Sequence, residues 1–334
     1  MNQLADEIDR IAAETSFSGA VQVDRDGIVE FARAYGSADR RNSVANTVGT
    51  QFGIASGTKG LTAMAVVSLI ENGVFGLATT ARSLLGDDLA LIADDVTIEQ
   101  LLGHRSGIGD YVDEDAGHEI TDHILPVSVH ELATTAQYLR VLDGFVAKSE
   151  PDELFCYNNG GYVVLALLAE RATGTSFHEL VAQRVCEPAG MSDTAFLRSD
   201  ELPGNVAVGY LAADGLRTNV FHLPVRGSGD GGIYSTAADV HALWTAFFAG
   251  RIVSPYWVGE MVRPRSNAPS DSMRYGLGFW LDESGDAVTL IGGDAGVSFR
   301  TVHDPGRQIT HTVLSNWSEG AWPITRRLGE LLNR

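Results

Sequence analysis

Lysine is nearly absent from this chain. Its 24 cationic residues include only two lysines, Lys59 and Lys148, and arginine supplies the rest. Arginine keeps its proton in proteins, whereas a desolvated lysine can lose it, so each retained lysine marks a place where a titratable amine could be needed. Cysteine is as scarce. Cys156 and Cys186 form neither a metal-ligand spacing nor a disulfide framework and are expected as free thiols. No run approaches the ~18 apolar residues of a membrane-spanning helix. Basic residues are outnumbered, 24 against 43 acidic, for a net charge of -19, which argues against nucleic acid and anionic membrane surfaces as partners. The segment Met1-Asn-Gln-Leu-Ala-Asp-Glu lacks the apolar stretch of a secretory signal. The expected compartment is therefore the cytoplasm, or the periplasm or exterior if a leader has been removed. Repeats, low-complexity tracts and linkers are missing as well.

What is present is an apolar fraction of 44% over 334 residues, enough for a sizeable core. Leu4, Ile8, Ile11 and Ala12 share one helical face near the start, and Ile324, Leu328, Leu331 and Leu332 another near the end. Residues 17–23 and 29–35 read as strands joined by the turn Asp24-Arg-Asp-Gly27. Residues 129–204 read as largely helical, and strand-like segments return near 206–222. Alternating strands are expected at 275–282, 286–291, 296–303 and 309–315, and Thr236 with Asp239 resembles a capping box. Strands at both ends with helices between suggest one sheet built from both termini, with a helical lobe inserted in it.

The chemistry concentrates at Phe52-Gly-Ile-Ala-Ser-Gly-Thr-Lys-Gly-Leu-Thr. A helical pattern follows Ser56 and ends at Gly73, a C′ residue. Ser56 thus sits at a helix start, where free N–H groups favour developing negative charge. Lys59 lies one turn along on the same face, within reach of the hydroxyl, and a desolvated lysine can act as the base that a serine nucleophile needs. Alone, the motif also describes a capping serine followed by a surface lysine. A second segment, Phe155-Cys-Tyr-Asn-Asn-Gly-Gly-Tyr162, can turn Tyr157 and Asn159 toward one cleft. A phenol beside a lysine is expected to have a lowered pKa and to shuttle protons. Two other patterns carry little. Gly227-x-Gly-x-x-Gly232 has dinucleotide-loop spacing without a surrounding βαβ unit. His118 and His123 would stand roughly 140° apart on a helix and cannot share a metal from one face.

Taken in order, Ser56-x-x-Lys59, Tyr157-x-Asn159 and a glycine-rich strand pair resemble the serine β-lactamase and penicillin-binding-protein superfamily, nearest class C β-lactamases, D,D-peptidases and related esterases. Leu101-Leu-Gly-His-Arg-Ser-Gly107, Glu187-Pro-Ala-Gly-Met-Ser-Asp-Thr194, Gly231-Gly-Ile-Tyr-Ser-Thr-Ala-Ala-Asp239 and Tyr275-Gly-Leu-Gly-Phe-Trp280 extend the likeness over nearly the whole chain. The resemblance implies an α+β fold: an antiparallel sheet flanked by terminal helices, with an inserted all-α subdomain. It implies a single catalytic domain, 1–334, made of an α/β lobe (1–55 with 205–334) and a mainly helical lobe (56–204). It further implies a hydrolase working through an acyl-enzyme at Ser56, with Lys59 and Tyr157 moving protons. Asn159 would position the substrate carbonyl, and the N–H groups of Ser56 and Gly293 would hold the oxyanion, beside the close-approach glycine Gly292. No metal or organic cofactor is implied; the partner is a small-molecule or peptide substrate, and the oligomeric state is left open. One departure stands out. Matching Gly292-Gly-Asp-Ala-Gly296 to the family's strand puts Leu290 where a lysine or histidine meets the substrate carboxylate. The expected function is therefore hydrolysis of ester or amide bonds in small substrates, with Leu290 offering an apolar contact. A true β-lactamase or D,D-carboxypeptidase, with Arg300 holding the carboxylate, and a non-catalytic ligand-binding pseudoenzyme remain the alternatives.

Overall fold

Both ends of the chain feed one antiparallel sheet. The computed structural model describes residues 2–114, 117, 120–268 and 271–332. Its strands are β1 (Gly19–Arg25), β2 (Ile28–Tyr35), β3 (Ser37–Asp39), β4 (Val44–Ala45), β5 (Phe52–Gly53), β6 (Tyr234–Ser235), β7 (Ser266–Ala268), β8 (Met273–Tyr275), β9 (Trp280–Asp282), β10 (Val288–Asp294), β11 (Val297–Asp304) and β12 (Ile309–Ser315). Eight form the main sheet in the order β2-β1-β12-β11-β10-β9-β8-β7, while β3 pairs with β4 and β5 with β6. The N-terminal strand β1 lies against the last strand, with Gly19 opposite Ser315 and Arg25 opposite Ile309. The expected hairpin forms because Asp26 (φ 52) and Gly27 (φ 75) both take the left-handed conformation that a two-residue turn requires.

Helices Asn2–Glu14 and Ala321–Leu332 cover one face of this sheet. Ile8, Ile11, Ile324, Leu328 and Leu332 repeat at helix spacing and pack with Val21, Val23 and Val313. Toward the other face lies the central helix Thr58–Glu71, buried on every side as far as Leu69. Helices Asn159–Thr173 and Ala237–Phe248 join it in a second and larger apolar core. Gly73 ends the central helix as expected. Its φ is +73, its N–H meets Ile70 O at 2.9 Å, and the N–H of Val74 meets Leu69 O at 3.0 Å. These antiparallel strands and flanking helices are the α+β architecture expected from the sequence. No helix among the described residues is long and apolar enough to cross a membrane.

Several local expectations are corrected. Residues 275–282 are not one strand, because Gly276 to Gly278 make a corner between β8 and β9. Gly278 has φ +88, and a Cβ there would lie 2.2 Å from that of Ala63. Residues 206–222 form only isolated bridges, Gln51 to Val206, Tyr210 to Thr218 and Tyr210 to Trp317, with Gly215 (φ 78) turning the chain between Tyr210 and Thr218. Between 129 and 204 long helical structure is confined to Asn159–Thr173 and the run Phe177–Ala189; residues 143–158 are irregular. The capping box at Thr236 is half made. Its hydroxyl accepts from the N–H of Asp239 at 3.1 Å, but the Asp239 carboxylate turns to the N–H of Asp193 and the Thr194 hydroxyl. His118 lies outside the described residues.

Strand alternation in β10 decides what reaches the site. Leu290 and Gly292 face the Ala55–Gly57 turn and the helix after it, while Ile291 and Gly293 face a cleft. A Cβ on Gly292 would stand 2.0 Å from the carbonyl oxygen of Ile54, a backbone atom that cannot move aside. Gly292→Ala is therefore expected to cost about 1–3 kcal/mol as overpacking and to lower the melting temperature. Gly259→Ala, in helix Pro255–Met261 with nothing within 4 Å of its Cβ, is expected to hold or raise it. Thermal unfolding of the two variants checks the opposite signs.

Candidate active site

The turn Ala55–Gly57 precedes the central helix. Ala55 takes φ +44, a strained conformation for a residue with a Cβ, and it turns the half-buried Ser56 into the cleft. Ile54 anchors the turn through its N–H to Ile233 O (2.9 Å), and the N–H of Gly57 closes it on Ile54 O (2.8 Å).

Lys59 is 2% exposed, and its Nζ has three partners. These are Ser56 Oγ at 2.9 Å, Asn159 Oδ1 at 2.7 Å and the Asp230 carbonyl at 2.9 Å. A carbonyl oxygen only accepts, so the last two take two of the lysine's hydrogens. The amide of Asn159 cannot flip, because its Nδ2 donates to Val112 O (3.0 Å) and Glu114 Oε1 (3.1 Å). Ser56 is thus the one partner that can either accept a hydrogen from Nζ or donate one to it. Burial lowers the Lys59 pKa, while the carboxylates of Asp230, Glu114, Asp110 and Asp294 oppose the shift. With the amine neutral, its lone pair faces the Ser56 hydroxyl.

Asn159 is held from its other side. Asp110 accepts the N–H groups of Asn159 (2.6 Å) and Gly160 (2.8 Å), capping helix Asn159–Thr173 from a distant loop. Burial still lifts this carboxyl to about 6 against the pull of those N–H groups. Asn158 adds its own cap, accepting from the N–H of Gly161 at 2.6 Å.

Tyr157 lines the same cleft as Ser56, whose hydroxyl bears on the phenol. The expectation of a lowered phenol pKa is overturned. Burial first and the Glu114 charge second push it well above the ordinary tyrosine value, although the Ser56 hydroxyl pulls it down. Lys59 Nζ stands 5.0 Å from the ring centroid, over the face rather than at the hydroxyl. At rest the group is a phenol. Trp280 stacks on it at 5.7 Å and 18°, and His104 packs at 4.4 Å. His104 Nδ1 accepts from the N–H of Asn158 (3.1 Å), leaving Nε2–H to donate to Tyr275 OH (3.2 Å). Burial holds this imidazole well below its usual pKa, as that neutral tautomer requires.

The cleft has a volume of about 720 Å³ and is lined by Ser56, Tyr157, Asn159, Trp280, Ile291 and Gly293, among others. Four expected residues, Ser56, Tyr157, Asn159 and Gly293, therefore meet at one surface, with Lys59 directly beneath. Gly292 abuts the Ile54 carbonyl behind it. Leu290 does not reach the cleft; it is 3% exposed and packs where Gly60 leaves room, a Cβ at Gly60 being 2.5 Å from Leu290 Cδ2. Ile291 is the apolar β10 side chain that lines the cleft. Arg300, the cross-strand partner of Ile291, is not among the described residues lining the cleft. Sequence reasoning assigned no role to Asp110, Glu114, Asp230 or Asp294. Asp230 sits inside the glycine-rich Gly227–Gly232 loop, whose density of glycine signalled close backbone approach rather than phosphate binding. A Cβ at Gly229 would lie 2.0 Å from Tyr162 O. Neither Cys156 nor Cys186 is in a disulfide among the described residues.

The family described as Beta-lactamase matches residues 4–332. A putative penicillin-binding protein, PbpX of Bacillus subtilis (strain 168), is 25% identical over 279 residues, spanning 82% of this chain and 65% of its own. Penicillin-binding protein 4* of the same organism is 26% identical over 321 residues, or 91% and 69%. This chain thus spans about two thirds of the length of these curated relatives. A penicillin-binding protein from Bacillus halodurans superposes with a TM-score of 0.90 at 30% identity, covering 97% of this chain and 99% of that one.

Because Lys59 and Lys148 are the only lysines, a spectrum of lysine labelled with ¹³C at Cε contains two signals, and Lys148→Arg assigns them. The Lys59 signal is expected to titrate below 10.5, since burial disfavours its charged form. Titration at or above that value would mean that the surrounding carboxylates outweigh burial.

Proposed function

From the premise that this chain belongs to the beta-lactamase family of serine hydrolases, we propose that it cleaves ester or amide bonds of small substrates through an acyl-enzyme at Ser56. The observation that carries this reading is the fixed geometry of Lys59 Nζ, held by two obligate acceptors with its third direction aimed at Ser56 Oγ, 2.9 Å away.

In this mechanism Ser56 Oγ attacks the carbonyl carbon while its proton passes to neutral Lys59. The N–H groups of Ser56 and Gly293 stabilise the oxyanion, and Asn159 orients the substrate beside it. As the tetrahedral intermediate collapses, Tyr157 gives its phenolic proton to the leaving oxygen or nitrogen and recovers one from the Lys59 ammonium. Water then attacks the acyl-enzyme, again losing its proton to Lys59, and hydrolysis frees Ser56 and the acid. A phenol with a raised pKa suits this role, because it carries the proton to be donated and relays rather than stores negative charge.

A β-lactam or a peptide ending in a carboxylate is disfavoured. No arginine or lysine side chain lines the cleft among the described residues, so a carboxylate there would lose water without meeting a permanent cation. The relatives include a teichoic acid D-alanine hydrolase of Staphylococcus aureus, 24% identical over 276 residues and 81% of this chain.

Ester turnover is expected to exceed cephalosporin turnover by at least ~10² in kcat/KM, about 2.7 kcal/mol in barrier. Parallel assays with an activated acetate ester and a chromogenic cephalosporin measure the ratio, and efficient cephalosporin hydrolysis would reverse the assignment of substrate. Tyr157→Phe is expected to lower ester turnover by roughly 10²–10⁴. A fluorophosphonate is expected to add one adduct to the wild type and none to Ser56→Ala; labelling that persists in that variant would place the nucleophile elsewhere.

A further inference from the structure

A second cavity lies behind the site. Its volume is about 490 Å³, and it shares no lining residue with the cleft. That volume falls within the roughly 300–1,000 Å³ of small-molecule sites. One layer of chain separates the cavity from the catalytic side, and along that layer neighbouring residues face opposite ways. Leu197, Gly227 and Tyr234 line a recess of about 80 Å³ that shares Asp230 and Asp294 with the cleft. Their neighbours Phe196, Arg226 and Ile233 line the second cavity. A further part of its wall is a π-helical turn, Ala182–Cys186, set into the helical run that begins at Phe177. Such turns are rare and recur at functional sites, and here Ala182 and Cys186 both face the cavity.

The cation of this cavity is Arg226. Its Nε donates to the carbonyl of Phe196 at 3.0 Å, which fixes the guanidinium plane, while its two terminal nitrogens donate to no group among the described residues. The nearby acids are committed elsewhere. Asp200 pairs with Arg198 at 2.8 Å, and Glu179 accepts the Ser176 hydroxyl at 2.7 Å. Burial first and the charge of Arg198 second lower the Arg226 pKa, and no carboxylate opposes that shift. His178 adds no second charge. Its Nε2–H donates to the Gly227 carbonyl at 2.8 Å, and burial holds the imidazole at about 4. The His178 ring packs on Phe196 at 4.7 Å, and with Val181, Ala182 and Ile233 the two rings make an apolar surface beside the guanidinium.

We propose that this cavity is a second, non-covalent binding site for a small organic carboxylate. The carboxylate accepts paired hydrogen bonds from the two terminal nitrogens of Arg226, and its apolar body lies against Phe196, His178 and Ile233. A guanidinium held flat by its own Nε presents the fork that matches the two oxygens of a carboxylate. The cleft disfavours this same group, so the two sites take different ligands, and the inference stands independently of the Ser56 reading.

Calorimetric titration with 3-phenylpropanoate, 3-phenylpropanamide and inorganic phosphate tests the site, in the Ser56→Ala protein so that the amide survives. The carboxylate is expected to bind at least about tenfold more tightly than either the uncharged amide or phosphate. Adding Arg226→Gln is expected to erase that advantage over the amide. Adding Ala182→Phe instead, which fills the cavity and leaves Arg226 in place, is expected to weaken the carboxylate by about the same tenfold factor. Should loss of the Phe196 contact lower the unfolding midpoint of the Arg226→Gln protein, Ala182→Phe decides. Equal affinity for acid and amide, or an affinity for the acid that Ala182→Phe leaves unchanged, would overturn the inference. So would tighter binding of phosphate than of the carboxylate, or no binding of the carboxylate at millimolar concentration.

Discussion

One buried amine organises this site. Lys59 has almost no contact with water, so its charge must be either compensated or given up. Each neighbour bears on that choice. Asn159 and Asp230 fix two hydrogens, Ser56 receives the third direction, and Tyr157 and Tyr162 offer ring faces at 5.0 and 5.8 Å. To bring these groups together the chain joins a helix start, a second helix start and a glycine-rich loop. Those close approaches need the absent side chains of Gly229 and Gly292 and the strained Ala55.

Electrostatics then separates chemistry from recognition. Burial pulls Lys59 toward the neutral base and holds Tyr157 toward the neutral acid, the two directions that favour the start of an acyl transfer. The carboxylates around them oppose the first shift and reinforce the second. Their excess over cations disfavours an anionic substrate in the cleft.

Much of this was legible in the sequence where geometry is local. Ser56 and Lys59 are one helical turn apart, so their meeting follows from spacing alone, and the scarcity of lysine singled out the residue. The terminal helices and the Asp26-Gly27 hairpin were legible for the same reason. What depends on depth was not. The Tyr157 phenol was expected to be lowered by its lysine, yet the lysine sits over the ring and burial dominates. Leu290 was expected to touch substrate, but alternation along β10 turns it onto Gly60 and presents Ile291. Asp230 and Asp294 come from segments far apart in sequence. The Gly227–Gly232 loop looked like a poor nucleotide motif, because glycine density reports close backbone approach without saying to what.

The central claim is that Lys59 is the base for Ser56, and the pH dependence of fluorophosphonate labelling at Ser56 tests it most directly. In the wild type the rate is expected to rise with pH along a single titration whose midpoint matches that of the Lys59 ε-amine and falls below 10.5. Lys59→Arg, which keeps the charge but cannot accept a proton, is expected to lose on the order of 10²–10⁴ of that rate, almost as much as Lys59→Ala. A Lys59→Arg protein that labels at close to the wild-type rate would show that charge alone suffices and that the base lies elsewhere.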